Sequence, residues 1–338
     1  MKTLNPCLTL GVGSDTMWLV PDPPRRVLAV ANQKGGVGKT TTAVNLAAAL
    51  AELDRRVLVV DLDPQGNATT GMGIDPRTLG STMYQVLVGA TPIEDTIEGT
   101  SVRNLFVAPA SLDLAGAEIE LVPMFSRERK LRQALAGVAD DYDYIFIDCP
   151  PSLGLLTVNA LVAATEVLIP IQCEYYALEG VGQLIRNVML VQEDLNPELY
   201  ISTIVLVMYD ARTNLAEQVA QEVRSHFGDK VCQTIIPRSV RLSEAPSFGQ
   251  PITVFDPIGR GAHAYRRLAR ELVEAESGSV DSDADSEVAP QDRIGDGETP
   301  VTGPDGVTPD GESDREDRSA EDPGAERHRA IEWIGERT

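Results

Sequence analysis

Short apolar runs alternate with longer helical stretches along most of this chain. Buried-type runs predict strands near residues 27–33, 57–62, 104–108, 143–148, 166–171 and 201–208. Residues 231–236 suggest a seventh strand and 252–254 an eighth. Helical patterns fall near 39–53, 111–121, 127–139, 153–163, 177–195, 213–227 and 261–276, with a helical excursion over 81–97. Continuous apolar strands between helices predict an α/β fold, with a mostly parallel, doubly wound sheet covered on both faces. Right-handed crossovers then set its topology.

The chemistry concentrates where the first strand ends. Residues 32–42 read Asn-Gln-Lys-Gly-Gly-Val-Gly-Lys-Thr-Thr-Thr, after an apolar run and before an alanine- and leucine-rich helix. Strand, glycine-rich turn and helix are the setting of a phosphate-binding loop. Glycines let backbone N–H groups approach phosphate oxygens, and the helix N-terminus adds unpaired donors and a positive dipole end. Lys39 suits the β- and γ-phosphates and Thr40 suits Mg²⁺. Two more apolar runs end in carboxylates, Asp61 and Asp63 after the second strand and Asp148 after the fourth. Ligands of open parallel sheets sit at such strand ends, so three aspartates there can converge on one Mg²⁺ and one water.

The loop departs from the common pattern in that Gln33 stands where a first glycine is usual and Lys34 follows it. This Lys-Gly-Gly-Val-Gly-Lys-Thr-Thr form is the deviant Walker A motif, and the chain resembles the ParA/MinD group of P-loop NTPases. Residues 61–67, 148–156, 172–180 and 241–247 are similar to chromosomal ParA (Soj-type) proteins, over about three quarters of the chain. The resemblance implies a chromosome- or plasmid-partitioning ATPase with ATP and Mg²⁺ as cofactors. ATP would drive a sandwich homodimer that binds double-stranded DNA without sequence preference. A ParB-type centromere-binding partner would trigger hydrolysis and release. It further implies that Gly35, Gly36, Val37, Gly38, Lys39, Thr40 and Thr41 hold phosphates and that Thr40, Asp61 and Asp148 serve the metal. Asp63 would activate water, and Lys34 would reach the partner's nucleotide as an arginine finger does. Met208, Pro237 and Arg238 are the expected adenine contacts, and Arg212 and Arg241 the expected DNA contacts.

Charge changes this picture only in part. The net charge is −22, of which residues 276–338 carry −13, leaving −9 for residues 1–275. An acidic chain is not an obvious DNA binder, but net charge does not set local potential, and non-specific phosphate contacts need only a few arginines. The acidic stretch is rich in Asp, Glu, Gly, Pro and Ser, so 277–338 is expected to be a disordered tail. The resemblance implies that residues 27–276 form the ATPase domain, and 1–26 an N-terminal extension expected to be flexible. Four scattered cysteines, Cys7, Cys149, Cys173 and Cys232, make no C-x-x-C pair, which argues against zinc or a disulfide framework and for a reducing, cytoplasmic setting. With DNA as a partner, that setting is the nucleoid. No apolar run is long enough for membrane insertion.

Two alternatives compete. A MinD-like membrane-surface switch in cell-division positioning calls for a basic amphipathic C-terminal helix, whereas here the last core helix precedes an acidic stretch. An electron-transfer protein resembling nitrogenase iron protein needs two cysteines at a shared cluster, and Cys149 lies beside the nucleotide loop, a poor place for one.

Overall fold

A computed structural model describes residues 9–10, 19–20, 25–174 and 177–284, without the side chains of 9–10, 19–20, 177–180 and 277–284. Two compact units divide the chain, Met1–Glu276 and Ser277–Thr338. The expected extension and tail lie almost wholly outside the described residues. The exceptions are β1 (Thr9–Leu10) and β2 (Leu19–Val20), which pair antiparallel, Arg25 and Arg26, and the helical residues 277–284.

The main sheet comprises β3 (Arg26–Val30), β4 (Val57–Asp61), β5 (Glu98–Gly99), β6 (Leu105–Ala108), β7 (Tyr144–Asp148), β8 (Glu166–Gln172) and β9 (Tyr200–Val207). Its order is β5-β6-β4-β7-β3-β8-β9, parallel except for the β5–β6 pair. β4 and β7 are buried throughout, as strands covered on both faces must be.

The helices are α1 (Lys39–Ala51), α2 (Asn67–Gly71), α3 (Met83–Leu87), α4 (Leu114–Glu120), α5 (Lys130–Leu135), α6 (Leu155–Ala163), α7 (Ala177–Asp194), α8 (Asn214–Phe227), α9 (Val240–Glu244), α10 (Ile252–Phe255) and α11 (Arg260–Ala284). α1 is built from strong helix formers and is almost wholly buried. It shares one core with β3, β4, β7 and the apolar face of α11, where Tyr265, Leu268 and Leu272 pack.

The six main predicted strands form, each within a few residues of its expected bounds. The seventh and eighth do not. Residues 231–236 follow β9 through Cys232 N–H to Ile204 O and Ile236 N–H to Leu206 O, both 2.9 Å, but make no ladder. The Glu271 carboxylate on α11 captures the Gln233 and Thr234 N–H groups at 2.5 and 2.9 Å, which removes two donors a strand would need. Residues 252–254 are helical, because Pro251 opens α10 and Asn45 Oδ1 takes the Ile252 N–H at 2.6 Å. The excursion over 81–97 reduces to α3, capped by Thr82 and Gln85, and one 3₁₀ turn (Ile93–Asp95). The edge strand β5 had no signal in a two-residue stretch.

Candidate nucleotide site

Strand register brings the predicted carboxylates together. Asp61 at the end of β4 pairs with Asp148 at the end of β7, and Asp148 pairs with Val30, two residues before the loop. Gly36 and Gly38 take left-handed φ of 74° and 84°, and no atom lies within 4 Å of where a Cβ would stand on Gly35 or Gly36. That open cradle suits a phosphate. Gly38 caps α1 without any side-chain hydrogen bond, so the first-turn donors of α1 remain available. Asn32 fixes the loop from beneath. Its amide donates to Pro170 O at 2.9 Å, and its Oδ1 accepts the Lys34 N–H at 3.0 Å.

A cavity of ≈ 410 Å³ opens above the loop. Of the predicted residues, Gly35, Gly36, Gly38, Lys39, Thr40, Thr41, Asp63 and Met208 line it. Val37 is buried and is not part of the lining. Pro237 and Arg238 also stand outside it, beside Tyr209, whose carbonyl accepts the Arg238 N–H at 2.9 Å. The far wall was not foreseen. It comes from Asn45 on α1 and from Ala245, Pro246 and Gln250. These last three sit in or next to a motif visible in the sequence, but only folding brings them over α1.

Lys39 is buried, with its Nζ 3.4 Å from Lys34 O. Burial lowers its pKa, against the opposing pull of Asp148, Cys149 and Asp63. Asp61 is fully buried, and burial raises it to about 6 against the hydrogen bonds it accepts. Those come from Thr69 Oγ1 at 2.7 Å, Thr69 N–H at 2.8 Å and Asp63 N–H at 3.2 Å. Thr69 is a site residue that the sequence did not announce. Asp148 is also shifted upward, first by burial and then by Asp61, with Thr40 and Lys39 pulling it back. Neither Asp148 oxygen has a partner in ordinary hydrogen-bond geometry.

Two buried carboxylates in register, one without a hydrogen-bond partner, beside the Thr40 hydroxyl are a donor set that fits Mg²⁺. Among the described residues no three His, Cys, Asp or Glu side chains form an all-protein metal cage. Mg²⁺ needs none, because it keeps several waters and uses one or two carboxylates plus substrate phosphate. Asp63 is held by the Gln65 N–H on Oδ1 at 3.0 Å, which leaves Oδ2 for a water. Cys149 is buried, with its thiol on Ile147 O and its pKa raised by burial, the setting of an inert structural thiol.

Lys34 does not line its own cavity. Its Nζ lies 3.6 Å from Glu174 Oε2 at the end of β8. Arg212 and Arg241 are exposed and lie apart from the cavity. Arg212 makes a two-pronged contact to Asp210 at 2.6 and 2.8 Å, which holds that carboxyl well below its usual range. Arg241 pairs with Glu244 at 3.1 Å and covers the Phe255 ring.

Comparison with known proteins agrees with this geometry. A family model described as an AAA domain matches residues 25–201. The chain is 58% identical over 247 residues to the sporulation initiation inhibitor protein Soj of Bacillus subtilis (strain 168), covering 73% of this chain and 98% of that protein. It is 54% identical over 252 residues to the chromosome partitioning protein ParA of Myxococcus xanthus (strain DK1622), covering 75% and 89%. A Mycobacterium smegmatis structure described as cobyrinic acid a,c-diamide synthase, with bound ADP and magnesium, superimposes with a TM-score of 0.67. It shares 41% identity and covers 76% of this chain and 97% of that one. The same protein has also been solved with an ATP analogue and magnesium.

Proposed function

The chain belongs to the Soj/ParA family of chromosome-partitioning ATPases, and we propose that it works as an ATP-assembled dimer that holds DNA until a ParB-type partner triggers hydrolysis. It is an ATP hydrolase with ATP and Mg²⁺ as its cofactors. The observation that carries the proposal is the division between the two loop lysines. Lys39 lines its own cavity, whereas Lys34 is not part of that lining and lies beside Glu174.

In this reading, the open loop and the first-turn N–H groups of α1 cradle the phosphates, and Lys39 offsets their charge. Thr40 and Asp148 hold Mg²⁺, with Asp61 oriented behind them by Thr69. When bound, the metal neutralises charge on the transferring phosphoryl group. Asp63 orients the attacking water through its free oxygen. Lys34 of one protomer supplies positive charge at the other's nucleotide, so a monomer is slow, because phosphoryl transfer depends on positioning and charge stabilisation. Arg212 and Arg241 bind backbone phosphates, exchanging Asp210 and Glu244 for DNA.

A membrane-surface switch would use a basic amphipathic C-terminal helix, whereas here the last core helix leads into an acidic stretch, which counts against a membrane partner. Among the described residues no helix is long and apolar enough to cross a membrane. The test is DNA binding and size-exclusion mass with ADP, with ATP, and with ATP plus a ParB-type N-terminal peptide. Binding is expected with ATP alone. DNA affinity that ignores the nucleotide, or vesicle binding in its place, would overturn the proposal.

A further inference from the structure

Most surface helices bury one apolar face and turn a polar one to solvent. α4 is apolar on both. Leu114, Ala117 and Leu121 are buried in the domain. On the opposite side, Leu112, Ala115, Ile119 and Val122 are spaced three, four and three residues apart, one helical face. Turn bonds Ala115 N–H to Leu112 O and Val122 N–H to Ile119 O carry the helical path past both ends of α4. Leu112, Ile119 and Val122 are 78, 76 and 53% exposed, and Phe125 just beyond is 95% exposed. A contiguous exposed apolar stripe of this kind marks an interaction surface.

The stripe is also connected to the nucleotide. On the same helix, the Glu118 carboxylate fills the space beside Gly154 that a Cβ there would take, and its Oε1 is buried without a partner. Gly154 caps α6 and lies three residues after Pro151, which lines the cavity. One side-chain contact thus joins α4 to the segment that carries Pro151.

We propose that the outer face of α4 docks a basic, amphipathic segment of the hydrolysis-stimulating partner. The chemistry of that segment follows from the charges around the stripe. Asp113 and Glu120 flank it and are exposed, Glu120 also accepting the Tyr84 hydroxyl at 3.0 Å, while Arg127 at its end is occupied by Glu128 and by Val122 O. An apolar face with cationic flanks complements this helix, and a net charge of −22 attracts such a segment from a distance. The proposal rests on the partner-stimulated reading above and gives that partner a site.

The probe is a synthetic peptide of the ParB-type partner's N-terminal segment, titrated with ATP and DNA present. Ile119→Glu and Leu112→Glu should each raise the peptide concentration for half-maximal ATPase stimulation by at least about tenfold, as loss of a central apolar contact does. Ile119→Leu should stay within about twofold, since it preserves the apolar contact. Unstimulated ATPase rate, melting temperature and ATP-dependent mass should match the unmodified protein. Unchanged stimulation of the Glu variants would overturn the proposal. Loss of the ATP-dependent dimer would also overturn it, by assigning the stripe to a second copy of the chain. An unmodified protein that the peptide neither binds nor stimulates would overturn the partner reading itself, and with it the occupant named here.

Discussion

Thr69→Val removes one hydroxyl and almost no volume, yet it strikes the buried centre of the site. That hydroxyl donates to Asp61 Oδ2 at 2.7 Å and accepts the Ala110 N–H at 2.9 Å. A hydrogen bond to a charged group is worth about 1.5–3 kcal/mol, and an orphaned buried N–H costs about 1–3 kcal/mol. Asp61 keeps the N–H groups of Thr69 and Asp63, so part of the loss is absorbed. The expected destabilisation is about 3 kcal/mol, or roughly 6–12 °C in melting temperature for a domain of this size. Urea unfolding without nucleotide measures the first figure and thermal unfolding the second. Thr69→Ser keeps the hydroxyl and should lose only about 1 kcal/mol with the buried methyl. Because Asp61 backs the metal position, half-saturation by Mg²⁺ in the ATPase assay should also rise for the Val variant and not for the Ser variant. A Val variant within about 0.5 kcal/mol of the Ser variant would refute the claim that Thr69 holds Asp61 in place.

Three further outcomes concern other parts of the domain. Lys34→Ala should bind ATP as a monomer and fail both to dimerise and to hydrolyse, read by size-exclusion mass and phosphate release; a partner-stimulated rate equal to that of the unmodified protein would end the trans-lysine mechanism. Arg212→Glu and Arg241→Glu should each abolish ATP-dependent DNA binding but leave dimerisation. With about four phosphate contacts per dimer the log–log salt slope should be about −3.6, a weakening of roughly 150-fold between ~50 and ~200 mM salt; a flat slope would remove these arginines from the interface. Gly249→Ala should destabilise by about 3 kcal/mol in urea unfolding, from a left-handed backbone and from overpacking. Its φ is +62°, and the new Cβ would stand 2.8 Å from Gly73 Cα, so a neutral result would contradict that backbone contact.

The sequence by itself determined the centre of this protein. Six strands, the loop between β3 and α1, and the strand-end positions of Asp61, Asp63 and Asp148 were legible. Each depends on a local pattern, such as a buried apolar run, a glycine that permits positive φ, or a helix of strong formers. The family resemblance was legible for the same reason, since its motifs are contiguous. Tertiary structure decided what depends on residues far apart in the chain. Glu271 takes the donors of residues 233 and 234, and Asn45 takes that of Ile252, so neither of two apolar runs with strand-like composition forms a ladder strand. Thr69 becomes the support of Asp61 only because α2 folds back over the end of β4. Ala245, Pro246 and Gln250 close the cavity over α1 from far along the chain. A backbone N–H bonds to whichever acceptor folding brings nearest, and no local period in the sequence records that choice.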